Sequence, residues 1–386
     1  MKGFSNRLGE VQEYYFSKKL KEVQKLRESG KPIINMGIGS PDLPPDNSVI
    51  EALKQTADTS SGHGYQSYQG TPELRNAIAA FYDRNYQVSL DPSSEVLPLM
   101  GSKEGIMHIS MAFLNEGDEV LVPNPGYPTY TSVTKLLNAI PVFYSLSEAD
   151  NWAPDWEALE KMDLRKVKLM WVNYPHMPTG ANGNESLFGK LIEFAKNHDI
   201  LLVHDNPYSF ILNDSPKSLL AMPEAKDHAI ELNSLSKTFN IPGWRVGMVV
   251  GRKDYLEAVL RVKSNMDSGM FLGLQAGAVA ALNLGQSWVN SMNTIYGRRK
   301  ALVIEMAALL HLQVNEEAVG MFVWGKVPDG KKATEIVDQL LYDYDIFITP
   351  GLIFGSNGAS YVRFSLCINE EKIKEAIARL KKHKTL

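Results

Sequence analysis

The 386-residue chain has one cysteine, no long apolar run and no surplus of either charge. Each shortage removes a class of protein. Cys367, alone, cannot form an intramolecular disulfide, and within YVRFSLCIN it reads as a buried small hydrophobe rather than a nucleophile. No uninterrupted apolar stretch approaches the ~20 residues of a membrane span. The opening MKGFSNRLGEVQEYYFSKKLKEVQKL also lacks the apolar core of a signal peptide, so the expectation is a cytoplasmic protein with no membrane partner. The charge balance, 40 basic against 44 acidic residues, argues against a nucleic-acid partner. KKHK at residues 381–384, the one block of like charge, reads as the solvated end of a last helix. No internal repeat and no low-complexity segment stands out.

What is present is an alternation of short apolar runs with helical patterns. The runs are EVLPLM (95–100), EVLVP (119–123), KLMWVNY (168–174), ILLVHD (200–205), AIELNS (229–234) and RVGMVVG (245–251). They are apolar at both alternating sets of positions, which suits strands covered on both faces, and stretches such as ESLFGKLIEFAKNHD between them carry a helical period. An α/β domain with a mainly parallel sheet follows. From about residue 270 the texture changes to a long helical region, then to strand GMFVWGKV, helix KATEIVDQLLYDY, strand YVRFSLCI and a closing helix. The expected division is a large α/β domain over 47–285 and a smaller α+β domain built from 1–46 and 286–386.

Open α/β sheets bind ligands beyond the carboxyl ends of their strands. Four segments fall at such ends: Gly101-Ser102-Lys103, the NYPHMPTG loop, Asp205, and Ser234 to Lys237. GSKEG before a helical pattern offers free N–H groups to an anion, although taken alone it fits a plain capped helix better. Ser234, Ser236 and Arg245 add hydroxyls and a two-pronged cation, the donor set of a phosphate monoester. A lysine beside a phosphate site can form a Schiff base with an aldehyde, and Asp205 could keep a ring nitrogen protonated. Lys237, Asp205 and the phosphate donors together point to pyridoxal 5′-phosphate; singly, Lys237 is a surface lysine and Asp205 a loop-capping carboxylate.

The motifs MGIGSPD, YQSYQGTPELR, GSKEG, PNPGYPTY, NYPHMPTG, HDNPYSF, SLSKTFNIPGWRVG and YVRFSL resemble, in this order, the class I/II aminotransferases of the fold type I pyridoxal-phosphate enzymes. KSNMDSGMFLGLQ, VSLDPSSEVLPLMGSKEG and GIGSPDLP are most similar to the branch containing LL-diaminopimelate aminotransferases. The resemblance implies that Lys237 holds the cofactor and moves the proton during exchange, that Asp205 pairs with the ring nitrogen, and that Tyr208 donates to the phenolic oxygen. It implies that Tyr127 stacks on the ring, and that Ser102, Lys103 through its backbone, Ser234, Ser236 and Arg245 hold the phosphate. Tyr65 matches a tyrosine sent into a neighbouring subunit, which implies a homodimer. Arg363, assisted by the backbone of Gly39, would clamp the substrate carboxylate.

One departure is plain. The family's asparagine before the proline of NYPNNPTG is Met177 here, preceded by His176, and a thioether cannot donate a hydrogen bond. Either Tyr208 carries the phenolic oxygen alone, or His176 or water takes over. The expected reaction exchanges an amino group between an amino acid and a 2-oxo acid, with LL-diaminopimelate and 2-oxoglutarate first. Aspartate, alanine or methionine as donor stays open, and so does a C–S lyase of the same fold. A non-catalytic cofactor sensor is disfavoured by Lys237 and by the lack of a preceding DNA-binding helical segment.

Overall fold

The computed structural model describes residues 4–9 and 15–382. Seven strands form the central sheet, in the spatial order Val96–Leu99, Gly247–Gly251, Ala229–Ser234, Leu201–Asp205, Val167–Val172, Glu119–Asn124, Ile140–Ser145. All neighbours are parallel except Gly247–Gly251, which runs antiparallel to the strands on either side. Six of these strands were expected from their two-sided apolar runs. The seventh, IPVFYS at 140–145, lies at the sheet edge with Ile140 and Phe143 exposed. Its alternation is broken by Pro141, tolerable only where a backbone donor can be spared.

Both faces of the sheet are buried, and the alternation of side chains divides them into two cores. Val120, Val122, Leu169, Trp171, Val203 and Leu232 point to one side, where Ile106, Tyr130 and Leu256 of the helices Ser102–Phe113, Pro128–Leu136 and Lys253–Lys263 cover them. Leu121, Met170, Val172, Leu202 and Val250 point to the other, against the helices Pro72–Tyr86 and Glu185–His198. The last two of these helices start where the sequence provides side-chain caps. Thr71 Oγ1 accepts from Leu74 N ahead of Pro72, and Asn184 Oδ1 accepts from Leu187 N.

A second sheet has the order Thr349–Pro350, Tyr361–Ser365, Phe322–Lys326, Gln313–Val314, all antiparallel. Ile34–Asn35 pairs in parallel with Ile346–Phe347, so an early segment joins the C-terminal part of the chain. The long helical region resolves into two helices, Leu272–Leu282 and Gln286–Leu309, broken at Asn283-Leu284-Gly285. The closing helix Glu370–Lys382 carries Lys381 and Lys382 in its last turn, while the rest of KKHK lies outside the described residues. Cys367 is partly buried against the core, with its thiol pushed up by burial, as expected of a packing residue. Among the described residues no helix is long and apolar enough to cross a membrane.

Candidate functional site

The carboxyl ends of the parallel strands converge on one side of the central sheet, and a cavity of about 450 Å³ opens there. Asp205 and Ser234 are the last residues of their strands, Asn173 directly follows Val172, and Ser102 starts the helix after Val96–Leu99. The reversed strand Gly247–Gly251 brings the chain in from the opposite direction, so Arg245 arrives at the same edge. Lys237 lies in the one-turn helix Leu235–Thr238, where Ser234 Oγ accepts from Ser236 N at 3.1 Å.

One end of the cavity is built for an anion. Arg245 has a left-handed backbone, φ 56°, unusual for a residue with a side chain, and its Nη1 donates to Pro242 O at 2.9 Å. A conformation of this kind costs about 1–3 kcal/mol and persists because its surroundings impose it. Its guanidinium packs on Gly101, where a Cβ would lie 2.2 Å from Nη2. Gly101, at φ 94°, is thus required both by its backbone and by the space Arg245 occupies. The arginine therefore sits at the N-terminus of the helix Ser102–Phe113, beside the Ser234 and Ser236 hydroxyls, a donor set suited to a phosphate.

In the middle of the cavity stand a carboxylate and an amine. Asp205 is 5% exposed; Oδ2 accepts from Tyr130 Oη at 2.8 Å, and buried Oδ1 has no partner. Burial pushes its carboxyl up to about 6, against the pull of the Tyr130 hydrogen bond. Tyr130 is itself fixed by stacking on Trp171, with centroids 4.7 Å apart, and meets the Tyr127 ring edge-on. Lys237 Nζ donates to Gly39 O at 2.6 Å. Burial lowers the pKa of its ammonium, and Arg363 and Arg245 push in the same direction.

The far wall carries Arg363, 6% exposed, on the strand Tyr361–Ser365. Its guanidinium lies between Phe322 and Phe354, 4.1 and 4.7 Å from the ring centroids. Nη2 donates to Gly37 O at 2.8 Å, Nη1 reaches only the weakly accepting Met177 Sδ at 3.4 Å, and Nε has no partner. Burial without a counter-charge pushes its pKa down to about 10. Among the described residues no carboxylate pairs with it, so this buried cation is left to meet an anion from outside.

Of the residues singled out from sequence, Lys237, Asp205, Tyr208, Ser102, Lys103, Tyr127, Ser234, Ser236, Arg245, Arg363 and Gly39 all line this cavity. Tyr65 does not; it stands 93% exposed on the surface. His176 does not line it either. It is buried with Nδ1 2.8 Å from Thr179 Oγ1, its pKa pushed down to about 3 by burial, while Met177 faces the cavity. Of the lining residues that sit inside its motifs but escaped the sequence reading, two hydrogen-bond to Asp205: Tyr130 of PNPGYPTY, and Asn173, whose Nδ2 donates to Asp205 O at 2.5 Å.

The profile of the family described as Aminotransferase class I and II matches residues 31–380. The chain belongs to this family. The aminotransferase is 38% identical over 380 residues to the LL-diaminopimelate aminotransferase of Aquifex aeolicus, covering 98% of each chain. It is 39% identical over 379 residues to that of Halothermothrix orenii, covering 98% of this chain and 97% of the relative. Among solved structures, substrate-bound BacF from Bacillus subtilis superposes with a TM-score of 0.94 at 36% identity, covering 100% of this chain and 98% of BacF. This aminotransferase is therefore an enzyme of amino-acid metabolism, moving an amino group between amino acids and 2-oxo acids.

Proposed function

We propose that the aminotransferase holds pyridoxal 5′-phosphate in this cavity, with LL-diaminopimelate and 2-oxoglutarate as its first candidate substrate pair. The observation that carries the cofactor assignment is Asp205: a buried carboxylate oxygen, Oδ1, without a partner, in the same cavity as a lysine whose ammonium is destabilised. A protonated ring nitrogen would satisfy that oxygen and relieve the cost of burying it. The phosphate fits the end formed by Ser102, Lys103, Ser234, Ser236 and Arg245. Tyr127 supplies a face for the ring and Tyr208 a donor for its phenolic oxygen.

When bound, the cofactor supplies an aldehyde that takes up the amino group and a ring that withdraws electrons from the substrate's Cα–H bond. The chain's own residues do the rest. Lys237 Nζ would hold the cofactor, and when freed by the incoming amine its lowered pKa would suit it to carry the proton between the substrate's Cα and the cofactor. Arg363 holds the α-carboxylate, offering the planar fork whose Nε and Nη1 lack good partners. Gly39, now bonded through its carbonyl to Lys237, borders the same place.

The names of the two relatives support LL-diaminopimelate as donor. A donor with an apolar side chain, methionine included, is the second reading, because Phe322, Ile353, Phe354 and Pro128 give the cavity an apolar wall. The relatives, as named aminotransferases, give the lyase reading no support. We also read the enzyme as a cytoplasmic homodimer divided into a large domain over 47–285 and a small one of 1–46 and 286–386. Exposed Tyr65, available to a neighbouring site, supports the dimer, and helices starting at Asn47 and Gln286 support the boundaries. Borohydride reduction of the loaded enzyme and peptide mapping test the assignment, since a label on any lysine but Lys237 overturns it. A donor screen, followed by conversion of the cofactor to its amine form, separates the two substrate readings.

A further inference from the structure

Residues 64–71, GYQSYQGT, form neither helix nor strand, yet the segment is tied down at Tyr68 and Thr71 by buried polar side chains that no part of the reaction above employs. Lys263, the last residue of the helix Lys253–Lys263, has a side chain only 3% exposed. Its Nζ donates to Tyr68 O at 2.8 Å and pairs with Asp267 Oδ1 at 2.9 Å. The same oxygen accepts from Gly269 N at 2.9 Å, which fixes the backbone lying against the loop. There Gly269, at φ +85°, comes so near that a Cβ would be 2.4 Å from Gln66 O. At the C-terminal end of the segment Gln275, 1% exposed, accepts from Thr71 N at 2.7 Å through Oε1 and donates to Met270 O at 2.7 Å through Nε2.

An ion pair and an amide buried this deeply are poor choices for stability alone. They are suited to a different task, because they saturate backbone groups of an irregular segment and leave it one conformation. In that conformation Tyr68 is half-exposed and Tyr65 projects from the surface, 93% exposed. A large aromatic side chain held outward on a fixed loop has nothing to serve within its own subunit.

We propose that Lys263, Asp267 and Gln275 are positioning residues that hold segment 64–71 so that Tyr65 reaches the cofactor phosphate of a second copy of this chain. The proposal rests on the assignment of Tyr65 to the neighbouring site. Neither Lys263 nor Gln275 lines the cavity, so their influence on the cofactor passes through the tyrosine.

The test titrates pyridoxal phosphate into the cofactor-free full-length protein and records hydrogen exchange of the amides at 64–71. Tyr65→Phe removes a hydrogen bond to a charged group and weakens cofactor binding about 10-fold or more. Gln275→Leu, and separately the pair Lys263→Met with Asp267→Asn, weaken it about 10-fold and speed exchange across 64–71. Added to Tyr65→Phe, neither causes a further loss, which a general destabilisation would. Because Gln275→Leu leaves the ion pair whole, a poorly folded double variant does not remove the test. Losses that add to that of Tyr65→Phe, or unaltered exchange at 64–71, overturn the clamp and leave the Tyr65 assignment standing. Wild-type affinity in Tyr65→Phe overturns that assignment, and the clamp's purpose with it.

Discussion

Replacing Asp205 with asparagine should stabilise the cofactor-free protein, by an amount that depends on pH. The carboxyl is 5% exposed, and its pKa is raised from 3.8 to about 6, with burial as the main cause. A carboxyl that titrates higher when folded contributes stability that is complete below about pH 4 and is lost as pH rises through about 6. At full ionisation the gap amounts to about 3 kcal/mol. Asparagine keeps an acceptor for Tyr130 but carries no charge to desolvate. With about 2.1 cal/mol/K per residue of unfolding entropy, 386 residues translate that energy into roughly 4 °C. The measurement is thermal unfolding of both cofactor-free proteins from pH 4 to 8. The Tm difference between variant and wild type should grow by about 4 °C in favour of the variant across that range. Pyridoxal phosphate should then reverse the order, because it stabilises the wild type more. A difference that stays flat with pH, or moves the other way, would refute the view that Asp205 is held ready at a cost to the empty protein.

Two further outcomes test the walls of the cavity. Arg363→Lys keeps the charge but loses the planar fork between Phe322 and Phe354, so KM for amino donors should rise about 10- to 100-fold with cofactor content unchanged. An unaltered kcat/KM for every donor would place the α-carboxylate elsewhere. Met177→Asn puts a donor on the cavity wall and, if the cofactor's phenolic oxygen lies there as proposed, should lower the pH midpoint of the loaded enzyme's visible absorbance, by at most about one to two pH units. With His176 turned away from the cavity, an unchanged or raised midpoint would mean that Tyr208 or water already fills the donor's place.

The sequence made the central sheet legible wherever a strand is covered on both faces, since runs such as KLMWVNY and AIELNS have no other use for so many apolar residues. IPVFYS went unread because an edge strand buries little and needs no such pattern. The cavity was legible in its chemistry but not in its directions. NYPHMPTG offers Asn173, His176 and Met177 as neighbours, and only backbone geometry decides that the first and last face the cavity while the histidine turns to Thr179. Tyr130 was hidden for a related reason. Its neighbour Tyr127 accounts for the aromatic in PGYPTY, and nothing local reveals that the second ring reaches Asp205, 75 positions away. The Lys263 clamp was invisible altogether, because a lysine near the end of an amphipathic helix looks like any solvated one until its partners are known.

The reversal of the strand Gly247–Gly251 bears on how this chain can change length. Ser234 and Gly247 are paired across the two antiparallel strands, and Leu235 N donates to Val246 O at 3.2 Å, so residues 235–246 leave and re-enter the sheet through a closed neck. Lys237 and Arg245 occupy the two arms of that excursion. Closing a longer excursion would cost little entropy, which is why most connections accept insertions. Here added residues would change the span between an amine and a guanidinium that, on the proposed assignment, meet neighbouring substituents of one small molecule. The expected record of descent is therefore a segment of constant length carrying substitutions at its tip, while ordinary connections on the opposite side of the sheet vary freely.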